Sequence, residues 1–179
     1  MDKVIQIGNK RFRLFIDEKT ILEKVQALAA RLNEDYRGKK PLFLSILNGS
    51  FMFAADLFKH LTIECSISFV KLASYRGTRS TGQVLTLLGL DETITGRHVV
   101  ILEDIVDTGA TLAELLPSLH EQHPRSLKVA TFLLKPNALK HRLDIEYTGM
   151  EIPNEFIVGY GLDYDGLGRN LRAIYQIVE

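Results

Sequence analysis

The stretch Arg97–Leu112, RHVVILEDIVDTGATL, restricts the folds open to this chain more than any other segment. Val99 to Leu102 are four consecutive apolar residues rich in β-branched side chains, with Gly96 just upstream. Such a run suits a strand buried on both faces, as in a parallel sheet. Glu103 and Asp104 follow at once. An ionised carboxylate costs several kcal/mol to bury unpaired, so the chain is expected to leave the core at this point. Next comes Asp107-Thr108-Gly109-Ala110-Thr111, small and hydroxyl-rich, and then Leu112 to Leu116 with helical spacing. Strand, tight loop and helix in this order turn backbone N–H groups and a helix N-terminus toward an anion.

A simpler reading makes Asp107 or Thr108 a helix cap and Gly109 a turn residue. Capping accounts for one acid but not for Glu103, Asp104 and Asp107 together at a strand end. Acids for ribose hydroxyls or Mg²⁺, beside N–H groups for phosphate, form a coherent set for a sugar phosphate. Neither Gly-x-Gly-x-x-Gly nor Gly-x-x-x-x-Gly-Lys-Ser/Thr is present, which argues against dinucleotide and ordinary nucleoside-triphosphate sites.

The rest of the chain repeats the theme. Val4, Ile5 and Ile7 before Gly8-Asn9, and Phe12, Leu14 and Ile16 after it, predict two short strands. Ile21, Leu22, Val25, Leu28, Ala29 and Leu32 recur at helical steps, predicting a helix that starts at Asp17 or Thr20 and ends near Gly38. Leu42 to Leu47 is a second apolar run, broken by Asn48-Gly49-Ser50 before helical spacing resumes from Phe51 to Phe58. Ile63 to Leu72 alternates, and Ala73 to Gly82 is polar, basic and glycine-containing ahead of the apolar Val84 to Leu88. This predicts a hairpin arm whose tip, a flexible loop of about 73–83, serves as a lid, with Arg76 and Arg79 suited to an anion.

Leu127 to Leu134 reads as another strand, and it delivers Lys135 to the same edge as Glu103 and Asp104. Residues 136 to 154 are irregular, with a helical piece around Ala138 to Leu143. Phe156 to Tyr160 is short and apolar, a glycine-rich loop runs on to Arg169, and Ala173 to Val178 closes as a strand. Alternating strands and helices predict an α/β fold with an open parallel sheet, whose ligand gathers at the topological switch point. The chain then forms one domain over 1–179, with a core of about 17–135 and a small hood from about 1–16 and 136–179.

With 22 basic and 22 acidic residues the formal net charge is zero, so no general electrostatic attraction to nucleic acid is expected. The lone Cys65 has no partner for a disulfide and no zinc or nucleophile pattern around it, and is expected in the core. No apolar run approaches a membrane span and Met-Asp-Lys-Val begins no signal-peptide core, so no membrane association and a cytoplasmic setting are expected.

The run Val99–Leu112 closely resembles the diphosphosugar-binding signature of type I phosphoribosyltransferases. Leu47-Asn48-Gly49, Ser74-Tyr75, Lys135, and Glu151–Tyr164 with Arg169 resemble the hypoxanthine-guanine branch of that family, in the same order. The likeness spans nearly the whole chain. It implies that Glu103 and Asp104 hold the ribose hydroxyls of phosphoribosyl diphosphate, and that Asp107, Thr108, Gly109, Ala110 and Thr111 wrap its 5′-phosphate. It implies that Asn48, Gly49, Ser74, Tyr75 and Arg169 serve the pyrophosphate. Lys135, Phe156, Ile157 and Asp163 would form the purine side, with Lys135 donating to the 6-oxo group and Phe156 stacking on the ring.

By the same likeness Asp163, with Glu103 and Asp104, would hold Mg²⁺, and Asp107 would act as general base or acid at purine N7. The partners implied are a purine base and phosphoribosyl diphosphate, in a homodimer or homotetramer. Many relatives carry Lys where this chain has Asn48, and the family's non-proline cis peptide is expected at Asn48-Gly49, where a side chain is missing. The expected activity is phosphoribosyl transfer to hypoxanthine and guanine in purine salvage. The alternative is a diphosphosugar-sensing regulator on the same fold, which would need a nucleic-acid module or basic face that the sequence does not display.

Overall fold

A computed structural model describes residues 4–75, 84–90 and 92–178. The expected lid tip at 76–83 lies outside the described residues. Strands β1 (Val4–Ile7) and β2 (Lys10–Ile16) pair antiparallel around the Gly8-Asn9 turn, as the alternation predicted. Helix α1 (Glu18–Asp35) starts where Asp17 accepts the Thr20 N–H at 2.7 Å, a side-chain cap for one of the helix's free donors. Its buried stripe is Ile21, Val25, Leu28, Ala29 and Leu32.

The core sheet follows from β3 (Leu42–Leu47), helix α2 (Phe51–Phe58), β4 (Ser66–Tyr75), β5 (Val84–Leu88), β6 (His98–Val106), helix α3 (Ala110–His120) and β7 (Ser126–Leu134). After a 3₁₀ turn at Pro136–Ala138 come β8 (Tyr147–Glu151), β9 (Ile157–Val158) and β10 (Ile174–Val178). The strand order is β5-β4-β3-β6-β7-β8; β4, β3, β6, β7 and β8 run parallel, and β5 returns antiparallel beside β4.

Val99 to Leu102 are fully buried because the two faces of β6 pack in two different layers. Val100 and Leu102 join α1 and α2, whereas Val99 and Ile101 join Leu112, Leu115 and Leu119 of α3. Removing an aliphatic side chain of this kind from water contributes about 1.5–3 kcal/mol, so four in a row anchor the strand.

From β3 the chain moves outward to β4 and then crosses back to β6 on the other side of β3. The switch point therefore falls between the C-terminal ends of β3 and β6. Over this edge sits the hood, a sheet in the order β1-β2-β10-β9 built from both ends of the chain. It carries its own small core of Phe12, Val158 and Tyr175. The hood segment expected from 136 onward is not all hood, because β8 pairs with β7 and extends the core sheet. Cys65 is half-buried against the layer of α1 and α2 rather than fully enclosed.

Candidate active site

The chain does not leave the core at Glu103. Strand β6 continues to Val106, and Glu103, Ile105 and Val106 still pair with Thr131, Leu133 and Leu134 of β7. Adjacent residues of a strand point to opposite faces, so the two acids enter different surroundings. Glu103 lines a cavity of about 100 Å³ together with Asp107 to Leu112. Its Oε2 is shielded from solvent and has no hydrogen-bond partner. Asp104 is buried at 9% exposure, and its Oδ1 accepts the Ile105 N–H at 2.9 Å.

Burial pushes the Glu103 carboxyl well above the usual glutamate range, and the neighbouring Asp104 adds to the shift. Burial also raises Asp104, but the Ile105 N–H and the Arg169 charge oppose the rise. Of the two carboxyls, Glu103 is the one whose surroundings more strongly disfavour charge. A buried carboxyl oxygen without a partner is costly unless something arrives to satisfy it, and sugar hydroxyls or a hard cation are suitable.

The loop after β6 is held on both sides. Lys135 N–H donates to the Val106 carbonyl at 2.9 Å and Lys140 N–H donates to the Thr108 carbonyl at 3.0 Å. Gly109 caps α3 with φ +80°, and a Cβ there would lie 2.6 Å from Leu143 Cδ1. The left-handed backbone favours glycine here, and any side chain would have to displace the end of Leu143. No side chain caps α3 from Asp107; its carboxylate instead receives Lys135 Nζ at 3.0 Å. Lys135 is nearly enclosed, at 10% side-chain exposure, while Asp107 is half exposed at 49%. The capping role thus falls to Thr108, whose Oγ1 accepts the Ala110 N–H at 3.3 Å, while Asp107 is left to pair with Lys135 at the mouth of the loop.

Across the switch point, Ser50 is fully buried, with Oγ 2.7 Å from Ser45 Oγ and donating to the Ile46 carbonyl. This fixes the turn that presents exposed Asn48 and half-buried Gly49. A Cβ on Gly49 would overlap the Asp104 carboxylate, so the β3 loop and β6 meet backbone to side chain. The non-proline cis peptide lies at Leu47-Asn48, one bond before the expected Asn48-Gly49. The missing side chain at 49 is spent on the approach of Asp104, which the sequence did not reveal.

The hood completes the site. A Cβ on Gly161 would overlap the Gly49 carbonyl, so hood and core meet here backbone to backbone. Arg169 donates from Nη1 to the Gly161 carbonyl at 2.7 Å and pairs through Nη2 with Asp163 at 2.7 Å. Asp163 also accepts the Gly166 N–H at 2.7 Å. Sequence reading singled out Arg169 and Asp163 but missed Gly161, whose signal was the closely spaced Gly159 and Gly161. Ile157 is buried in β9, and Phe156 is 46% exposed beside Tyr164 at a ring separation of 6.0 Å. Ser74 and Tyr75 end β4, but their side chains lie outside what is described.

The expected cation set of Asp163, Glu103 and Asp104 is not brought to one point. Among the described residues, no three His, Cys, Asp or Glu side chains cluster as a ready metal site. Asp163 is drawn to Arg169, and the two β6 acids occupy opposite faces. The donor chemistry still fits Mg²⁺, which takes one or two carboxylates and completes its shell with water and substrate phosphate. The orphaned Glu103 oxygen is the observation that favours such a partner.

Comparison with known proteins identifies the family of the chain. A family model described as the phosphoribosyl transferase domain matches residues 16–165. The hypoxanthine-guanine phosphoribosyltransferase of Lactococcus lactis is 40% identical over 172 residues, covering 96% of this chain and 90% of that protein. The one from Staphylococcus aureus is 42% identical over 162 residues, 90% of either chain. A crystal structure of a hypoxanthine-guanine phosphoribosyltransferase from Bacillus anthracis superposes with a TM-score of 0.84 at 40% identity, covering 93% of this chain and 96% of that one.

Proposed function

This chain belongs to the phosphoribosyl transferase family, and on that premise we propose that it moves the phosphoribosyl group of 5-phospho-alpha-D-ribose 1-diphosphate to hypoxanthine and guanine. The products are the nucleoside monophosphates and pyrophosphate, a purine-salvage reaction. The observation that carries the reading is the Lys135–Asp107 pair at 3.0 Å beside the loop cavity of Asp107 to Thr111. A purine needs a donor for its 6-oxo group and an acceptor at N7, and these two side chains offer both from one place.

In the reaction the N9–C1′ bond forms as the C1′–O bond to the diphosphate breaks, through a state with oxocarbenium character. Such a state asks for charge stabilisation and exclusion of water more than for a protein nucleophile. Asp107 takes the proton that the purine loses at N7 on becoming a nucleotide, and Lys135 holds the 6-oxo group while Asp107 does so. The N–H groups and hydroxyls of Thr108 to Thr111 cradle the 5′-phosphate at the start of α3. Glu103 and Asp104 take the ribose hydroxyls from the two faces of β6.

Asn48, Gly49, Ser74, Tyr75 and Arg169 serve the diphosphate, and Phe156 and Ile157 the purine ring. Neutralising the leaving diphosphate is the chemistry that Mg²⁺ would supply when bound, with Glu103, whose Oε2 has no partner, as the carboxylate that would face it and with water and diphosphate oxygens completing its shell. Asn48 contributes a neutral amide, and Arg169, held by Asp163 and the Gly161 carbonyl, is the cation of this set. A homodimer or homotetramer is the assembly that the family likeness implies, testable by sedimentation. A cytoplasmic setting is consistent with the described helices, none of which is long and apolar enough to cross a membrane.

The deciding experiment incubates hypoxanthine, guanine and xanthine separately with phosphoribosyl diphosphate and Mg²⁺, following nucleotide and pyrophosphate. Nucleotide formation from hypoxanthine and guanine is expected. Tight binding of the diphosphosugar without turnover of any base would return the chain to the sensing alternative.

A further inference from the structure

A second concave surface lies at the opposite edge of the core sheet. The turn after α1 supplies Gly38, Lys39 and Lys40, the entry to β6 supplies Gly96, Arg97 and His98, and the entry to β7 supplies Arg125. They line a cavity of about 430 Å³. These segments precede β3, β6 and β7 and so sit at the N-terminal ends of parallel strands, whereas the active site lies at the C-terminal ends. His98 and Glu103 are on one strand, about 16 Å apart at ~3.3 Å per residue.

Among the described residues, no carboxylate lines this cavity. Lys40 pairs with Glu64 at 2.9 Å and Arg97 with Glu92 at 2.8 Å, which leaves Lys39 and Arg125. Lys39 Nζ donates to the Asp35 carbonyl at 2.6 Å and lies 5.6 Å from the centre of the Tyr36 ring, contacts that hold the ammonium without cancelling its charge. Arg125 makes no salt bridge among the described residues. His98 reports the resulting field. Its Nδ1 is 2.7 Å from Ser126 Oγ and the Tyr36 ring is edge-on at 6.2 Å. Burial, and then the charges of Arg125 and Lys39, hold its pKa below the usual histidine value.

We propose that this cavity is a binding site for a diphosphate group, free or carried by a nucleotide, with Arg125 and Lys39 as its uncompensated cations. Two cations brought by separate turns to one concavity repel each other, and a compact polyanion relieves both. A guanidinium grips phosphate oxygens in pairs, and an ammonium adds a mobile point charge. The volume lies within the range of small-molecule sites. The proposal does not depend on the reaction assigned to the other edge.

The test is NMR of the histidine rings in the full chain, with His98 identified by His98→Gln. Pyrophosphate and ADP are titrated separately against sodium chloride at matched ionic strength. A saturable shift of the His98 resonances and a rise in its pKa are expected, because the anion offsets Lys39 and Arg125. Response to both ligands assigns the diphosphate group itself, and response to one alone names the source. In the Lys39→Met/Arg125→Met variant the affinity should fall at least about tenfold. Both side chains are exposed and remote from the active site, so transferase activity should stay unchanged. Melting should fall by no more than about 2–4 °C, the roughly 1 kcal/mol that loss of the Lys39 contacts to Asp35 and Tyr36 accounts for. No saturable shift up to about 10 mM, a shift matched by sodium chloride, or an equal response in the double variant overturns the site.

Discussion

Gly49→Ala tests the joint between the β3 loop and β6. Gly49 is not in the left-handed region, so alanine meets no backbone penalty and the effect is purely steric. The added methyl group would occupy the space of the Asp104 carboxylate, which is buried and accepts the Ile105 N–H at 2.9 Å. Overpacking a closed site costs about 1–3 kcal/mol. Losing a hydrogen bond to a charged group costs about 1.5–3 kcal/mol. The two costs overlap, since moving the carboxylate relieves the first by incurring the second, and together they predict a loss of about 2–4 kcal/mol.

In a chain of this size each kcal/mol lowers Tm by about 2–4 °C, so a fall of about 5–15 °C is expected. The chain has no tryptophan, so urea unfolding is followed by circular dichroism. Asp104→Ala in the same background makes room for the methyl group. The double variant should therefore be more stable than the sum of the single losses by at least about 1 kcal/mol. Strict additivity, or a Gly49→Ala protein that unfolds at the wild-type urea concentration, would refute the contact and the reasoning built on it.

Asp107→Asn keeps the size of the side chain but cannot take a proton, so single-turnover rates with hypoxanthine should fall about 10²–10⁴-fold. Diphosphosugar affinity, measured by calorimetry, should stay within about tenfold, because the N–H groups of the loop are untouched. Lys135→Ala removes the donor for the 6-oxo group, and discrimination between hypoxanthine and adenine in kcat/KM should weaken by about 1.5–3 kcal/mol; unchanged discrimination would show that another group reads that position. Glu103 has a raised native pKa, so the folded chain retains a proton that the unfolded chain releases near the ordinary glutamate value of 4.5. Its contribution therefore makes stability fall as pH rises from that value through the raised native one. Glu103→Gln should flatten the fall in urea titrations across that window, and an unaltered slope would mean that Glu103 is charged in the free protein.

Local patterns in the sequence determined a good deal of this protein. The strand, loop and helix around Asp107, the Asp17 start of α1, the two hood strands about Gly8 and the arrival of Lys135 at the ligand edge all follow from periodicity and turn chemistry. Such patterns record which residues alternate between core and water along one segment. They do not record what a distant segment brings to the other side of a side chain.

For that reason the sequence placed Glu103 and Asp104 outside the core, and tertiary structure returned them to it. β7 keeps pairing with β6 beyond Leu102, Gly49 leaves a notch for the Asp104 carboxylate, and Arg169 arrives from the hood to moderate its burial. The same dependence on remote partners put β8 into the core sheet, gave Asp163 to Arg169 rather than to a cluster of acids, and set Gly161 against Gly49. An isolated carboxylate costs several kcal/mol to bury, but its real cost is decided by the donors, charges and empty space around it. Those belong to the folded assembly of segments far apart in the chain, and no single stretch of residues encodes them.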